Sequence, residues 1–108
     1  MDMLTLRESL ARTVKKANEI FNTNIGYVTS VQVKGDGTYH SRVTRHTLPK
    51  SEVYTLLVAS LNTTSTATLA HEVAHIVCWE LDIDQSGHSQ EYMGVYYKLA
   101  EAMELDII

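Results

Sequence analysis

Apolar residues near the N-terminus recur every three or four positions, and this spacing predicts a first helix. Thr5 and Glu8 stand in the pattern of a capping box, which predicts Thr5 as the residue that begins the helix. The segment "FNTN" is expected to end it. The positions that define the apolar face are Leu6, Leu10, Val14, Ala17 and Phe21.

The spacing then changes to that of β-strands. Two runs rich in β-branched and aromatic residues, "IGYVTSVQV" and "TYHSRVTRHTL", flank "KGDG". The glycines of this segment suit a tight turn, so the two runs are predicted to form a hairpin. After Pro49, the run "EVYTLLVASL" is apolar enough to lie well inside a sheet.

Helical spacing returns in the second half of the chain. The polar cluster "NTTST" can cap a helix from Thr68 to about Leu81, and Ser89 can cap a last helix after the loop "DIDQSGH". An apolar stripe marks the last helix, formed by Tyr92, Val95, Tyr96, Leu99 and Met103. The order predicts an α+β fold in one domain over residues 1–108, with a helix, a three-stranded antiparallel or mixed sheet, a motif helix and a closing helix.

Composition narrows the classes of protein that remain. A chain of 108 residues, 44% of them hydrophobic, builds one core. It has neither an apolar run long enough for a bilayer nor a signal peptide, so we expect a cytoplasmic protein without membrane attachment. Cys78 is the only cysteine, which excludes an internal disulfide and a cysteine-based zinc site. The net charge of −4 argues against a domain that binds nucleic acid through a basic surface.

The strongest chemical signal is "HEVAH" in the predicted motif helix. His71 and His75 are separated by about 40° around a helix and about 6 Å along it, so both imidazoles can bind one ion. Glu72 lies about 100° round from His71, close enough to reach a water molecule in the open coordination position. Zinc accepts such ligands and acidifies water, which implies hydrolysis with Glu72 as general base and then general acid.

A third ligand is expected from the segment that follows the helix. His88 comes after the glycine of a polar loop that can turn the chain back, and we predict it as the third ligand. The competing carboxylates are Glu91, Glu101 and Glu104. The opposing interpretation is that the histidines are core residues paired with carboxylates. We favour a metal, because enclosing two histidines and a glutamate in a buried helix without a partner is costly.

The residues around the motif receive less specific interpretations. Cys78 is interpreted as a small buried hydrophobe, and Trp79 as a packing residue that can also line a substrate groove. Candidate acceptors for the far nitrogens of the ligating imidazoles are Asp82, Asp84 and Glu91. His40 and His46 are expected to be exposed polar positions in the hairpin.

The segment "TLAHEVAH" resembles the T-L-x-H-E-x-x-H motif of the SprT-like (Spartan-type) zinc metalloproteases. The segment "SGHSQEY" resembles the G-H-G-P-E-F segment of that family, and "ANEIF" is similar to its N-x-x-F pattern. The resemblance covers most of the chain and implies a minimal zincin-like fold. It implies His71, His75 and His88 as Zn2+ ligands and Glu72 as the catalytic glutamate. The chain lacks the Gly-Pro that follows the third histidine in the family. Association with DNA is implied by the resemblance alone.

These observations predict a zinc-dependent metallopeptidase that acts on protein or peptide substrates. An exposed sheet edge can hold an extended substrate by adding a strand. The alternative is a non-catalytic, zinc-stabilised module that binds a protein or nucleic acid on the same scaffold, and a third hypothesis is a hydrolase of other carbonyl compounds. Glu72 favours an enzyme, because a structural zinc site needs no base.

Overall fold

The computed structural model of the chain describes residues 2–26, 28–33, 42–48, 51–58, 61 and 64–105. Its elements follow the predicted order, and the α+β class is confirmed. They are α1 (Met3–Phe21), β1 (Val28–Val33), β2 (Arg42–Leu48), β3 (Ser51–Val58), α2 (Thr66–Glu80) and α3 (Gln90–Ala102). None of these described helices has the length and apolar character of a bilayer-spanning helix.

The first helix begins about a turn earlier than the capping box predicts. Its N-cap is Asp2, whose carboxylate accepts the backbone N–H of Thr5 at 2.7 Å. Thr5 therefore lies inside α1, and the prediction of a capping box from Thr5 and Glu8 is wrong. A carboxylate is favoured at the N-cap because it also faces the positive end of the helix dipole. The predicted end is confirmed, since Asn22 closes α1 in the left-handed conformation at φ 54°.

Asn18, in the "ANEIF" segment, holds the chain after α1 in place. Its amide nitrogen donates to the carbonyl oxygen of Ile25 at 2.9 Å. Its amide oxygen accepts the backbone N–H of Ile25 at 2.8 Å and the hydroxyl of Thr23 at 2.8 Å. One side chain thus satisfies both backbone groups of Ile25, which is itself a core residue.

The strands do not pair as the predicted hairpin requires. The strand order is β1–β3–β2, with β1 parallel and β2 antiparallel to β3. The hairpin of β1 with β2 is therefore wrong, and its "KGDG" turn lies outside the described residues. Instead Leu48 pairs with Ser51, so that only residues 49–50 link β2 to β3. β3 takes the middle position that its apolar character predicts, and Tyr54 and Leu56 in it are buried.

The motif helix is the central element of the core. α2 packs against both α1 and α3 and also contacts β2. It begins at Thr66 behind the N-cap Ser65, in the polar cluster that predicted its start. Its buried apolar residues are Leu69, Ala70, Val73, Ala74, Ile76, Val77 and Cys78. Contact on several sides fixes the backbone of α2, and therefore the positions of the side chains that it presents.

The closing helix covers the motif helix with the stripe that its spacing predicts. Ser89 is its N-cap, as predicted, and accepts the backbone N–H of Tyr92 at 3.2 Å. Within the stripe, Tyr92, Val95 and Leu99 are buried, and Tyr96 and Met103 are partly buried against the core. Two aromatic residues of this stripe, Tyr92 and Tyr96, lie against the histidines of α2.

Candidate metal centre

The two histidines of the motif helix lie one turn apart on the same face of α2. The ring centroids of His71 and His75 are 5.2 Å apart. Ala70 and Ala74, the residues that precede them, are completely buried. Core packing therefore fixes the part of the α2 backbone from which both imidazoles project.

His88 reaches these rings from the loop between α2 and α3. Gly87 and His88 both have left-handed backbone conformations, at φ 59° and 53°, and they reverse the chain just before α3. The backbone N–H of His88 donates to the carbonyl oxygen of Gln85 at 3.1 Å, which closes the turn. The ring centroid of His88 lies 4.9 Å from that of His71 and 5.2 Å from that of His75.

The donor set of these three histidines fits a metal ion. One ring nitrogen from each histidine can be chosen so that all lie within 4.8 Å of one another. A tetrahedral zinc ion with nitrogen ligands at about 2.05 Å brings such nitrogens to about 3.3 Å, so small side-chain rotations complete the site. His71, His75 and His88 are thus close enough to bind a metal ion, as the spacing predicts.

The carboxylates that compete for the role of third ligand are not part of this cluster. Glu91, Glu101 and Glu104 are exposed on α3 or just beyond it, and among the described residues the metal-binding group contains histidines only. His40 lies outside the described residues. His46 belongs to β2 by its backbone, and its side chain is not among those described.

Gln85 orients His75, and the sequence analysis did not identify it. Its amide oxygen lies 2.6 Å from Nδ1 of His75, so it accepts a hydrogen bond from Nδ1–H and leaves Nε2 able to bind an ion. The candidates for this task were Asp82, Asp84 and Glu91, and none of them bonds a histidine in the described structure. The carboxylate of Asp84 instead accepts the backbone N–H of Ser86 at 3.0 Å. A search for carboxylates alone overlooks an amide, although an amide oxygen is also an acceptor.

We expect Gln85→Ala to weaken zinc binding ten- to a hundredfold, which is about the usual cost of losing an orienting partner. Gln85→Glu should retain the affinity, because a carboxylate also accepts a hydrogen bond from Nδ1–H of His75. The carbonyl oxygen that holds His88 belongs to the backbone and survives both changes. Competition with a chromophoric chelator measures the affinity, and Gln90→Ala, at an exposed residue of α3, is the control. Equal affinities for Gln85→Ala and Gln90→Ala would contradict the assignment.

The ring of Tyr92 contacts all three imidazoles. Tyr92 is completely buried, and its ring stacks on His75 with centroids 4.4 Å apart and an interplanar angle of 23°. The same ring lies 5.0 Å from His88 and 5.5 Å from His71. The hydroxyl donates to the carbonyl oxygen of His71 at 2.8 Å, which ties α3 to α2 at the site. The stripe analysis predicted Tyr92 to be apolar core, and its contact with the histidines appears only in three dimensions.

The environment keeps the helical histidines neutral, which is the form that binds metal. Burial, together with the neighbouring His75 and His88, lowers the pKa of His71 from 6.5 to about 4. Burial also lowers the pKa of His75, although its hydrogen bond to Gln85 opposes this effect. Protons therefore compete weakly for these two nitrogens at neutral pH.

Glu72 lies at the same cavity and is only 4% exposed. Burial raises the pKa of its carboxyl group from 4.5 to about 7, and a hydrogen bond from the backbone N–H of Val43 partly opposes the change. A carboxyl group with this pKa can accept a proton and return it near neutral pH. Position and protonation thus both suit the role predicted for Glu72.

The cavity above the histidines has a volume of about 910 Å³. It is lined by Val43, Ala67, Thr68, His71, Glu72, His75, Trp79, Gln85, His88 and Tyr96. Trp79 lines this cavity and stacks on Tyr54 with ring centroids 5.9 Å apart, so its interpretation as a packing residue is confirmed. Cys78 is completely buried, as predicted, and burial raises the pKa of its thiol to about 11.

Comparison of the chain with family models, with characterised proteins and with solved structures finds no match. The chemistry of the cavity is therefore the evidence on function.

Proposed function

We propose that the chain is a zinc-dependent metallopeptidase of the SprT-like type, with a minimal zincin-like fold, that hydrolyses peptide bonds. One observation carries the proposal: Glu72 lies at the same cavity as the three imidazoles. Three histidine ligands with a neighbouring carboxylate match a catalytic zinc site, which keeps its fourth position for water or substrate. A purely structural zinc site would have no use for Glu72.

The histidines and Glu72 have different roles in the proposed hydrolysis. His71, His75 and His88 would hold the zinc ion, which would supply Lewis-acid chemistry toward a carbonyl group and water. Glu72 accepts the proton of the attacking water and delivers it to the amine nitrogen as the carbon–nitrogen bond breaks. Its raised pKa places both transfers close to neutral pH.

The arrangement of β2 supports an extended protein or peptide as substrate. β2 lies at an edge of the described sheet, and Val43 in this strand lines the cavity. An extended peptide paired with this edge would cross the cavity beside Glu72. Main-chain pairing gives affinity with little dependence on the side chains of the substrate.

A proteolysis assay tests the proposal. We expect the purified chain to cleave casein when it contains about one zinc ion per chain, to stop when the metal is chelated, and to resume when zinc is returned. Metal that raises the thermal midpoint without hydrolysis of casein or self-cleavage would favour the non-catalytic binding module instead. The same assay with single-stranded DNA tests the DNA association, and unchanged rates would argue against it.

A further inference from the structure

We infer that Tyr96 is a further catalytic residue, whose hydroxyl donates a hydrogen bond to the carbonyl oxygen of the peptide bond during its hydrolysis. The inference rests on the proposed peptidase function. It concerns a contribution that the three histidines and Glu72 do not make, namely a hydrogen bond from the protein to the oxygen on which negative charge develops.

Tyr96 is placed by α3 at the mouth of the metal centre. It lies one turn after Tyr92, on the face of α3 that packs on α2. It is half-buried and lines the same cavity as Glu72. Its ring centroid is 5.7 Å from that of His71, with the two planes at 67°.

The hydroxyl group of Tyr96 is available, unlike that of Tyr92. Tyr92 donates to the carbonyl oxygen of His71, whereas no described residue accepts a hydrogen bond from Tyr96. Within the described residues, every buried side-chain oxygen or nitrogen has a partner. The unpartnered hydroxyl of Tyr96 is therefore in contact with solvent, and the cavity is solvent-filled space that this side chain lines.

The cavity lining offers few other side-chain donors to a carbonyl oxygen. Its lining contains no lysine or arginine among the described residues. The Thr68 hydroxyl is paired with that of Ser65 at 3.2 Å, and the amide oxygen of Gln85 is paired with Nδ1 of His75. Tyr96 is thus the lining hydroxyl that an incoming carbonyl oxygen can use.

The chemistry requires such a donor. The oxygen of water forms a bond to the carbonyl carbon, an electron pair moves onto the carbonyl oxygen, and Glu72 takes the proton from the water. When the carbon–nitrogen bond breaks, the electron pair returns and Glu72 passes the proton to the amine nitrogen. Tyr96 keeps its own proton throughout, and its hydrogen bond strengthens as the charge on the oxygen grows. A donor of this kind accelerates the reaction because it stabilises the transition state more than the bound substrate.

The test compares Tyr96→Phe with Tyr97→Phe in the zinc-loaded protein. Tyr97 is adjacent, 45% exposed and not part of the cavity lining, so its variant is a matched control. We expect Tyr96→Phe to lower kcat by about a hundredfold, with KM within about threefold of the original value and an unchanged zinc content. Affinity for a phosphinic peptide, whose tetrahedral anion resembles the transition state, should fall by a similar factor, as measured by calorimetry.

Three results would count against this role, for different reasons. If the original chain cleaves peptides and Tyr96→Phe matches Tyr97→Phe in both kcat and phosphinic-peptide affinity, the role of Tyr96 fails and the peptidase function stands. If the original chain binds zinc and cleaves nothing, the peptidase function fails and takes the role of Tyr96 with it. A loss of kcat caused by damage to the metal site would appear as lost zinc, and it would also count against the inference.

Discussion

Glu72→Gln is expected to abolish peptide cleavage while the chain still binds about one zinc ion. Glutamine keeps the shape of the side chain but cannot accept the proton from water, so the general base is lost and the three imidazoles remain. Loss of a general base costs about 10² to 10⁴ in rate, which brings slow turnover below detection. Cleavage products separated by mass spectrometry and zinc measured by elemental analysis check both parts. Unaltered cleavage would remove Glu72 from the mechanism.

The same substitution should stabilise the metal-free protein at alkaline pH. Glu72 has a pKa of about 7 in the folded chain against 4.5 as its model value, so the folded state holds the proton more tightly than the unfolded state. Its contribution to stability is complete below about pH 4.5 and is lost as the pH rises through about 7. Glutamine carries no such cost. We expect the variant to gain up to about 3 kcal/mol in the free energy of unfolding at about pH 8 and little at about pH 4.5.

Urea denaturation of the metal-free proteins at the two pH values measures this difference. Glu101→Gln is the matched control, because Glu101 is exposed on α3 and does not line the cavity. A gain that is equal at both pH values, or equal in both variants, would show that the carboxylate of Glu72 carries no burial cost. The expected outcome would show that the protein gives up stability to keep a base at the site.

His88→Asn is expected to remove most of the metal affinity. His88 supplies the one imidazole of the cluster that does not come from α2. Asparagine tolerates the left-handed backbone at φ 53°, so the turn before α3 is preserved while the ligand is lost. We expect zinc to bind at least about a hundredfold more weakly, because the loss of a ligand exceeds the ten- to hundredfold cost of losing an orienting partner.

Thermal unfolding makes this loss visible. Zinc at about 100 times its dissociation constant stabilises the folded chain by about 2.7 kcal/mol, and a hundredfold loss of affinity reduces this to about 0.4 kcal/mol. For a domain of this size the larger value raises the thermal midpoint by roughly 10 to 20 °C, and the smaller one by only a few degrees. Glu91→Gln, at one of the competing carboxylates, should keep the full shift. If Glu91→Gln lost the shift in thermal midpoint and His88→Asn kept it, the third ligand would be Glu91 and not His88.

Much of this protein could be predicted from local patterns along the chain. The helices, their order, the N-cap Ser89 and the meeting of His71, His75 and His88 are confirmed. These features depend on residues close together in sequence, where helical geometry alone sets the distances. His88 joins the site because a short loop limits how far it can move from α2.

Features that depend on distant segments were predicted wrongly or overlooked. Adjacent strands favour a hairpin on local grounds, yet β3 lies between β1 and β2. Gln85 was missed because the loop offers several acceptors, and only the folded loop shows which of them reaches His75. Tyr92 and Tyr96 both belong to one apolar stripe in the sequence, whereas the structure gives their hydroxyl groups different surroundings.

The amino-acid sequence by itself determined which three histidines lie close enough to bind a metal ion, the glutamate beside them and the helices of the chain, because helical periodicity is a property of consecutive residues. Only the tertiary structure decided the strand order, the partner that orients His75 and the environment that shifts the pKa of Glu72. The physical reason is that pairing and burial depend on which surfaces meet when α2, α3 and β2 pack together. The spacing of residues along the sequence does not show which surfaces will meet.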